Sequence, residues 1–124
     1  MRKVVFGLLT SAATAWGATA ALAQGTDVAA GQKLFQQRCG ACHQIATTRN
    51  GVGPHLQGVI GRKAGSVEGF NYSPALNDSG ITWDAETLET YLANPTAMVR
   101  GTRMTQRFNN AEERRAIIDF LSSQ

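Results

Sequence analysis

Two cysteines and a histidine stand close together in the segment Cys39-Gly40-Ala41-Cys42-His43. Thiols at this spacing lie one helical turn apart, so each can add across one vinyl group of a haem and form a thioether. The histidine that follows would lie beneath the ring plane, where its imidazole can ligate the iron. The segment therefore predicts one covalently attached haem c per chain, with Cys39 and Cys42 as attachment residues and His43 as an iron ligand.

Two other kinds of site use the same residue types. A redox-active disulfide between Cys39 and Cys42 is expected within a thioredoxin-like βαβ pattern, which the flanking sequence does not show. A zinc site needs about four ligands, and His55 would complete the set formed with the haem segment. The glycine-rich segment between the two histidines and the rest of the chain give a zinc site no support, so the haem interpretation is the stronger one.

The first 23 residues have the pattern of a secretory signal peptide. Arg2 and Lys3 form a short basic region, residues 4–22 are apolar and small without an acidic residue, and Ala21-Leu22-Ala23 matches the A-x-A cleavage pattern. A mitochondrial transit peptide would instead spread its arginines through the segment. Thr, Ser and Gly interrupt the apolar run, which argues against a permanent membrane anchor. We expect export to a bacterial periplasm and a single mature domain, residues 24–124.

The charge of the chain does not point to nucleic acid. The chain has 12 basic and 9 acidic residues, but two basic residues fall in the expected signal peptide, which leaves 10 basic and 9 acidic residues in the mature domain. Recognition of a partner must therefore depend on where the charges lie. The 101 mature residues suffice for one modest core, to which a haem would add a large apolar plug.

The spacing of apolar residues predicts an all-α fold, with about three main helices, short ones and long loops wrapped round one haem. A first helix is expected to be capped at Thr26 or Asp27 and to end in the haem motif. Gly31 in its middle suggests a close crossing by another helix, since Gly costs about 1 kcal/mol against Ala. The other predicted helix signals are a capping box at Asn110-Ala111-Glu112-Glu113 that starts the crossing helix, a helix from residues 82–84 to Asn94-Pro95, and a short helix at Ser73-Pro74.

The haem iron needs a second axial ligand if it is to have no open coordination position. Met98 and Met104 both follow the break at Pro95, in what reads as a loop, and a thioether from either would raise the reduction potential. Each methionine could equally fill a gap in a core. The residue types alone leave the choice open.

Further segments match a known family in order along nearly the whole mature chain. They are Gly53-Pro54-His55-Leu56, Gly61-Arg62-Lys63, Gly69-Phe70-Asn71-Tyr72, Gly80-Ile81-Thr82-Trp83, Tyr91-Leu92-Ala93-Asn94-Pro95 and Gly101-Thr102-Arg103-Met104. With these segments the sequence resembles the class I c-type cytochromes, the mitochondrial-type cytochrome c and its bacterial periplasmic relatives. The resemblance implies that Met104, which ends its segment, is the distal iron ligand.

The resemblance also implies roles for polar residues around the haem. The Pro54 carbonyl is expected to accept a hydrogen bond from His43, which would fix the ring and make it a better donor to iron. Tyr91 matches an aromatic residue whose hydroxyl lies near the methionine sulfur, although plain core packing would also explain it. A buried haem propionate needs hydrogen-bond donors, and the resemblance assigns this role to Arg62, Tyr72 and Trp83, with assistance from Thr102.

Several positions depart from the family pattern. His55 stands where many relatives have Asn. It could be a rival iron ligand, but it follows Pro54 on what should be the proximal side of the haem. Leu76 replaces an Asn near the methionine, Arg100 replaces the Pro that opens the methionine loop, and Gln106 replaces an aromatic residue. These departures leave the reduction potential and the lability of the Met104 ligand open.

With both axial positions filled, the expected function is one-electron transfer and not enzymatic turnover. The expected partners are redox proteins: a membrane cytochrome complex, a terminal oxidase, a reaction centre or a periplasmic dehydrogenase, the last as a possible dedicated donor. If Met104 dissociates readily, a gas- or peroxide-responsive haem protein is the alternative. We expect a monomer whose haem edge is ringed by Arg38, Arg100, Arg103 and Arg107, with Asp84, Glu86 and Glu89 on another helix. Such an edge would steer acidic patches of partners by a salt-sensitive attraction.

Overall fold

The computed structural model describes the backbone of residues 20–124 and the side chains of residues 28–124. Most of the expected signal peptide, residues 1–19, therefore lies outside the described residues, and its cleavage stays a prediction. Within residues 20–124, no helix has the length and hydropathy needed to cross a membrane. The helices are α1 (Ala20–Arg38), α2 (Pro74–Asn77), α3 (Ala85–Ala93), α4 (Pro95–Met98) and α5 (Ala111–Ser122).

The all-α prediction is confirmed for the described part of the chain. Its only extended pairing there is an isolated bridge between Lys63 and Thr82. Helix α1 begins at Ala20, so the predicted cap at Thr26 or Asp27 is wrong, and these residues lie inside the helix. The preceding segment is rich in alanine, the strongest helix former, and it continues the helix towards the N-terminus.

Helix α1 ends just before the haem motif, and the motif forms the next turn. The amides of Cys39 and Gly40 both donate to the Phe35 carbonyl at 2.8 Å, and the His43 amide donates to the Cys39 carbonyl at 2.9 Å. This turn keeps Cys39 and His43 close to the helix end. The turn fixes the orientation of the motif relative to α1, although the motif itself lies outside the helix.

The close crossing predicted at Gly31 is present between α1 and α5. A side-chain carbon at Gly31 would overlap the backbone carbonyl of Ala116 and come within 2.8 Å of the Phe120 Cβ. One turn along, the rings of Phe35 and Phe120 pack with centroids 5.5 Å apart. Only a residue without a side chain allows the two helices to approach this closely.

Side-chain caps set where α3 and α5 begin. Asp84 accepts from the Thr87 amide at 2.8 Å, and Thr87 Oγ1 accepts from the Asp84 amide at 2.9 Å, which is a reciprocal capping box. At α5, Asn110 Oδ1 accepts from the amides of Glu112 and Glu113 at 2.8 and 3.3 Å. The predicted return bond from Glu113 is replaced by an ion pair with another helix, described below.

The segment after Pro95 differs from the predicted loop. Residues Pro95–Met98 form the short helix α4, whose first turn is capped by Asn94. Proline is well suited to the first helical position, because it has no amide hydrogen to satisfy there. Met98 therefore lies at the end of a helix, whereas Met104 lies in the irregular segment between α4 and α5.

Candidate functional site

A cavity of about 580 Å³ lies among α1, α3, α5 and the long loops. This volume falls within the range of about 300–1,000 Å³ usual for small-molecule and cofactor sites. Its walls are largely apolar and include Phe35, Leu88, Leu92 and Ile117. All ten residues predicted to contact a haem line this one cavity: Cys39, Cys42, His43, Pro54, Arg62, Tyr72, Trp83, Tyr91, Thr102 and Met104.

The two cysteines line the cavity but differ in environment. Cys39 is buried, and burial raises the pKa of its thiol to about 11, whereas Cys42 is exposed. A thiol with so high a pKa stays protonated at neutral pH and is a poor nucleophile for disulfide exchange. The zinc alternative also lacks support, because among the described side chains no group of three or more His, Cys, Asp or Glu is placed to hold a metal ion.

His43 is held in one orientation. Its Nδ1 donates to the Pro54 carbonyl at 2.7 Å, which leaves Nε2 as the nitrogen free to act as a ligand. Burial lowers the pKa of His43; the bond to Pro54 opposes this shift and the Arg62 guanidinium adds to it. The ring also packs directly on Gly53, where a side-chain carbon would overlap it. The imidazole is therefore fixed in orientation, and its neutral form, which can donate a lone pair, is favoured.

The two candidate methionines occupy different places. Met104 lines the cavity, and Met98 is absent from the residues that line it. Both side chains pack against the main core. The structure therefore places Met104 on the same cavity as His43, and it gives Met98 the role of a core residue.

Backbone groups hold two polar side chains of the cavity wall, Arg62 and Tyr72. The Arg62 guanidinium donates to the carbonyls of His55 and Gln57 at 2.9 and 3.2 Å, and burial lowers its pKa. The Tyr72 hydroxyl accepts from the Val67 amide at 3.1 Å. These bonds fix two side chains at the cavity while leaving donor hydrogens on both.

The hydroxyls of Tyr91 and Thr102 are paired with each other at 2.6 Å in a buried position. Burial raises the pKa of Tyr91, and the bond to Thr102 opposes the rise. The Tyr91 ring packs against Trp83, with centroids 5.0 Å apart. This pairing links α3 to the segment that carries Met104, and the sequence analysis did not predict it.

The comparisons with known proteins agree with this arrangement. A sequence model of the family described as cytochrome c matches residues 28–124. The chain is 45% identical over 124 residues to cytochrome c2 of Rhodomicrobium vannielii, covering 98% of this chain and 97% of that protein. It is 40% identical over 123 residues to cytochrome c2 of Blastochloris viridis, covering 98% and 91%. Cytochrome cH from Methylobacterium extorquens superposes with a TM-score of 0.73 and 42% identity, over 79% of this chain and 99% of that one.

The chain belongs to the cytochrome c family. The predictions of a class I c-type cytochrome, of its all-α fold and of a covalent haem c are thereby confirmed. The cavity fits this group, because its walls are mainly apolar, both thiols reach it, and a fixed imidazole and a thioether line it. The chain is thus an electron-transport protein with haem c attached through Cys39 and Cys42.

The predicted ring of arginines is only partly present in this cytochrome c. Arg38 lines the cavity, but its guanidinium pairs with the Glu113 carboxylate at 3.0 Å and lies 4.7 Å from the centre of the Phe108 ring. Arg103 also lines the cavity, is exposed, and donates to the Asn71 carbonyl at 2.7 Å. Arg100 and Arg107 are exposed but do not line the cavity.

Phe108 is a site residue that the sequence analysis missed. Its side chain is fully buried, lines the cavity and carries the Arg38 guanidinium on its face. Its carbonyl accepts from Arg114 Nη1 at 2.7 Å, and Arg114 also pairs with Glu89 on α3. The sequence signal that could have identified Phe108 is its position as the sole aromatic residue between Met104 and α5.

His55 does not line the cavity, so the structure does not favour it as a rival iron ligand. Its Nδ1 is buried and has no hydrogen-bond partner among the described residues. Desolvation lowers the pKa of His55 below its usual value of 6.5, and the nearby Arg62 guanidinium lowers it further. Protonation of this ring is therefore less favourable in the folded protein than in the unfolded chain.

We expect the free energy of unfolding of the holoprotein to fall as the pH drops through the histidine range, and a His55→Gln variant to lose the part of this fall that His43 does not contribute. A lowered folded pKa means that the unfolded chain binds the proton first, so stability is greatest above the unfolded pKa of about 6.5 and decreases below it. Urea unfolding at several pH values between about 7.5 and 5 measures the effect. Parallel pH profiles for the two proteins would contradict the assignment to His55.

Proposed function

We propose that this cytochrome c is a diffusible one-electron carrier in which His43 and Met104 are the axial ligands of the haem iron. The observation that carries the proposal is the position of both side chains on one apolar cavity, next to the two attachment cysteines. With His43 and Met104 as its ligands, the iron would offer no open site to a substrate. Transfer of single electrons is the chemistry that remains.

The bound haem supplies a reversible Fe(III)/Fe(II) couple. The chain controls that couple through its own side chains. Pro54 fixes the His43 ring, so that Nε2 keeps one direction. The apolar walls exclude water, which disfavours the extra positive charge of the oxidised state and raises the potential together with the thioether of Met104.

Arg62, Tyr72 and Trp83 are proposed to hold a haem propionate, with Thr102 nearby. All four line the cavity and are at most half-exposed. The guanidinium and phenol are already oriented by backbone groups. A carboxylate brought into this wall would meet fixed donors, which offsets its cost of desolvation.

The proposed partners are periplasmic or membrane-bound redox proteins that meet the exposed part of the cavity rim. Arg103 is the arginine best placed to attract an acidic patch, because it is exposed and lines the cavity. Arg100 and Arg107 extend positive charge along the same segment of chain. We further propose export with cleavage after Ala23, and function as a monomer in the periplasm.

The experiment that tests the ligand set is the absorption spectrum of the reduced holoprotein with and without carbon monoxide. A c-type spectrum that the gas leaves unchanged is expected, since a closed six-coordinate iron has no position for it. A prompt shift would show that the Met104 position opens readily. A gas- or peroxide-responsive function would then replace the carrier function.

A further inference from the structure

The segment after the haem motif contains the only Asn-Gly pair of the sequence, Asn50-Gly51. The five other asparagines are each followed by a residue that has a side chain. Glycine has no such group, so the backbone after Asn50 rotates freely and the next amide nitrogen is unshielded. Asn50 is also exposed and lies in a loop, where solvent reaches its side chain. These conditions favour attack by that backbone nitrogen on the side-chain amide.

The Asn50 side chain joins two loops. Its Oδ1 accepts from the His55 amide at 3.1 Å, and its Nδ2 donates to the Glu68 carbonyl at 3.3 Å. One partner is a donor and the other is an acceptor, so only a group with both functions can satisfy the two of them. The neutral amide is such a group. We refer to these two hydrogen bonds together as the Asn50 bridge.

A carboxylate at position 50 would keep one bond of the bridge and lose the other. Ionised oxygens accept hydrogen bonds and cannot donate them, so the bond from the His55 amide would persist. The second oxygen would face the Glu68 carbonyl oxygen, and the two would repel each other. Loss of the amide nitrogen therefore disconnects the segment that carries Glu68 from the loop that precedes His55.

The folded loop controls when such a reaction can occur. The Gly51 amide, which is the nucleophile, donates to the Gly53 carbonyl at 2.9 Å. The loop also packs against the haem motif, since a side-chain carbon at Gly51 would lie 3.1 Å from the Cys42 carbonyl. Attack on Asn50 requires the Asn50 bridge and the Gly51 bond to open together. The reaction is therefore slowed by the closed loop and proceeds during local opening.

We propose that Asn50 is a site of spontaneous deamidation, and that this modification permanently breaks the Asn50 bridge. The Gly51 nitrogen attacks the side-chain carbonyl carbon of Asn50, a carbon–nitrogen bond forms, and the amide nitrogen leaves as ammonia with the proton from Gly51. Water then opens the cyclic imide at either carbonyl and yields aspartate or isoaspartate. In sum, water is consumed, ammonia is released, and the new carboxyl group gives its proton to solvent.

The first test locates the modification. Folded holoprotein is incubated in mildly alkaline buffer, and peptide mass mapping follows the exchange of amide for acid at each asparagine. We expect Asn50 to convert before the others, and more slowly than in the urea-unfolded protein. Asn50→Gln keeps the amide but places it one carbon further from the Gly51 nitrogen, so this variant should lose the early conversion. Earlier conversion at another asparagine, or none at Asn50 in the folded protein even after prolonged incubation, would overturn the proposal.

The second test measures the broken bridge. The deamidated holoprotein, separated by its added negative charge, is expected to have an unfolding equilibrium constant in urea about fivefold above that of fresh protein, as the loss of one hydrogen bond implies. Asn50→Asp should show a similar rise. Asn109→Asp adds the same charge at another exposed asparagine and should show none. Unchanged stability of the deamidated protein, or an equal rise in Asn109→Asp, would overturn the role of the bridge. Neither test depends on the ligand set of the iron, so both are independent of the proposed function.

Discussion

Replacement of Met104 by alanine is expected to open the reduced iron to carbon monoxide, while replacement of Met98 by alanine leaves the iron closed. The reason is position: Met104 lines the cavity that His43 also lines, and Met98 packs at the end of α4 away from that lining. Loss of the thioether should also lower the reduction potential by a substantial part of the roughly 0.8 V over which axial ligands set haem potentials.

Absorption spectra with the gas and potentiometric titration of both variants measure these effects. The Met98→Ala protein is the matched control, because it loses the same side chain from the same core. It is expected to be less stable, as large-to-small core substitutions generally are, yet to keep the wild-type spectrum. Binding of carbon monoxide by Met98→Ala and not by Met104→Ala would reverse the assignment of the distal ligand.

Replacement of Gly31 by alanine is expected to destabilise the holoprotein by about 1–3 kcal/mol, the usual cost of overpacking. In an ordinary helix the same change stabilises by up to about 1 kcal/mol, so the sign of the effect is diagnostic. The added carbon would overlap the Ala116 carbonyl, a backbone atom that cannot rotate away, and α1 would have to separate from α5.

Urea-induced unfolding of the holoprotein measures this change as a lower midpoint at constant slope. The neighbouring exposed position provides a control, since Gln32→Ala adds no contact with α5. An increase in stability in the Gly31→Ala protein would show that the two helices do not cross as closely as the structure indicates.

The sequence predicted most helices because their signals are local. Asn110 before Glu113, Ser73 before Pro74 and an apolar stripe after Asp84 each act within one or two turns. The predicted start of α1 was wrong. The alanine-rich segment before Thr26 and Asp27 continues the helix past the cap signals that these two residues provide. Helix α4 was missed because Pro95 reads equally as the end of one helix and as the first residue of another.

The attachment residues and His43 could be predicted from chemistry, since their spacing is set by the group that they bind. The remaining cavity residues followed from family resemblance, and no periodicity would have found Tyr72 or Thr102. Side-chain contacts between residues far apart in the chain could not be predicted from the sequence. Arg38 and Glu113 are separated by 75 positions, so a count of arginines along the chain could not reveal that one of them is already engaged.

The contact between α1 and α5 has a consequence for the attachment of the cofactor. Cys39 lies in a core cluster that includes Phe108, Ile117 and Leu121, all from the last segment of the chain. The folded protein buries the Cys39 thiol, whereas Cys42 is exposed. We therefore expect the thioether at Cys39 to form before α5 packs against α1, so that docking of the last helix closes a site that already holds its haem.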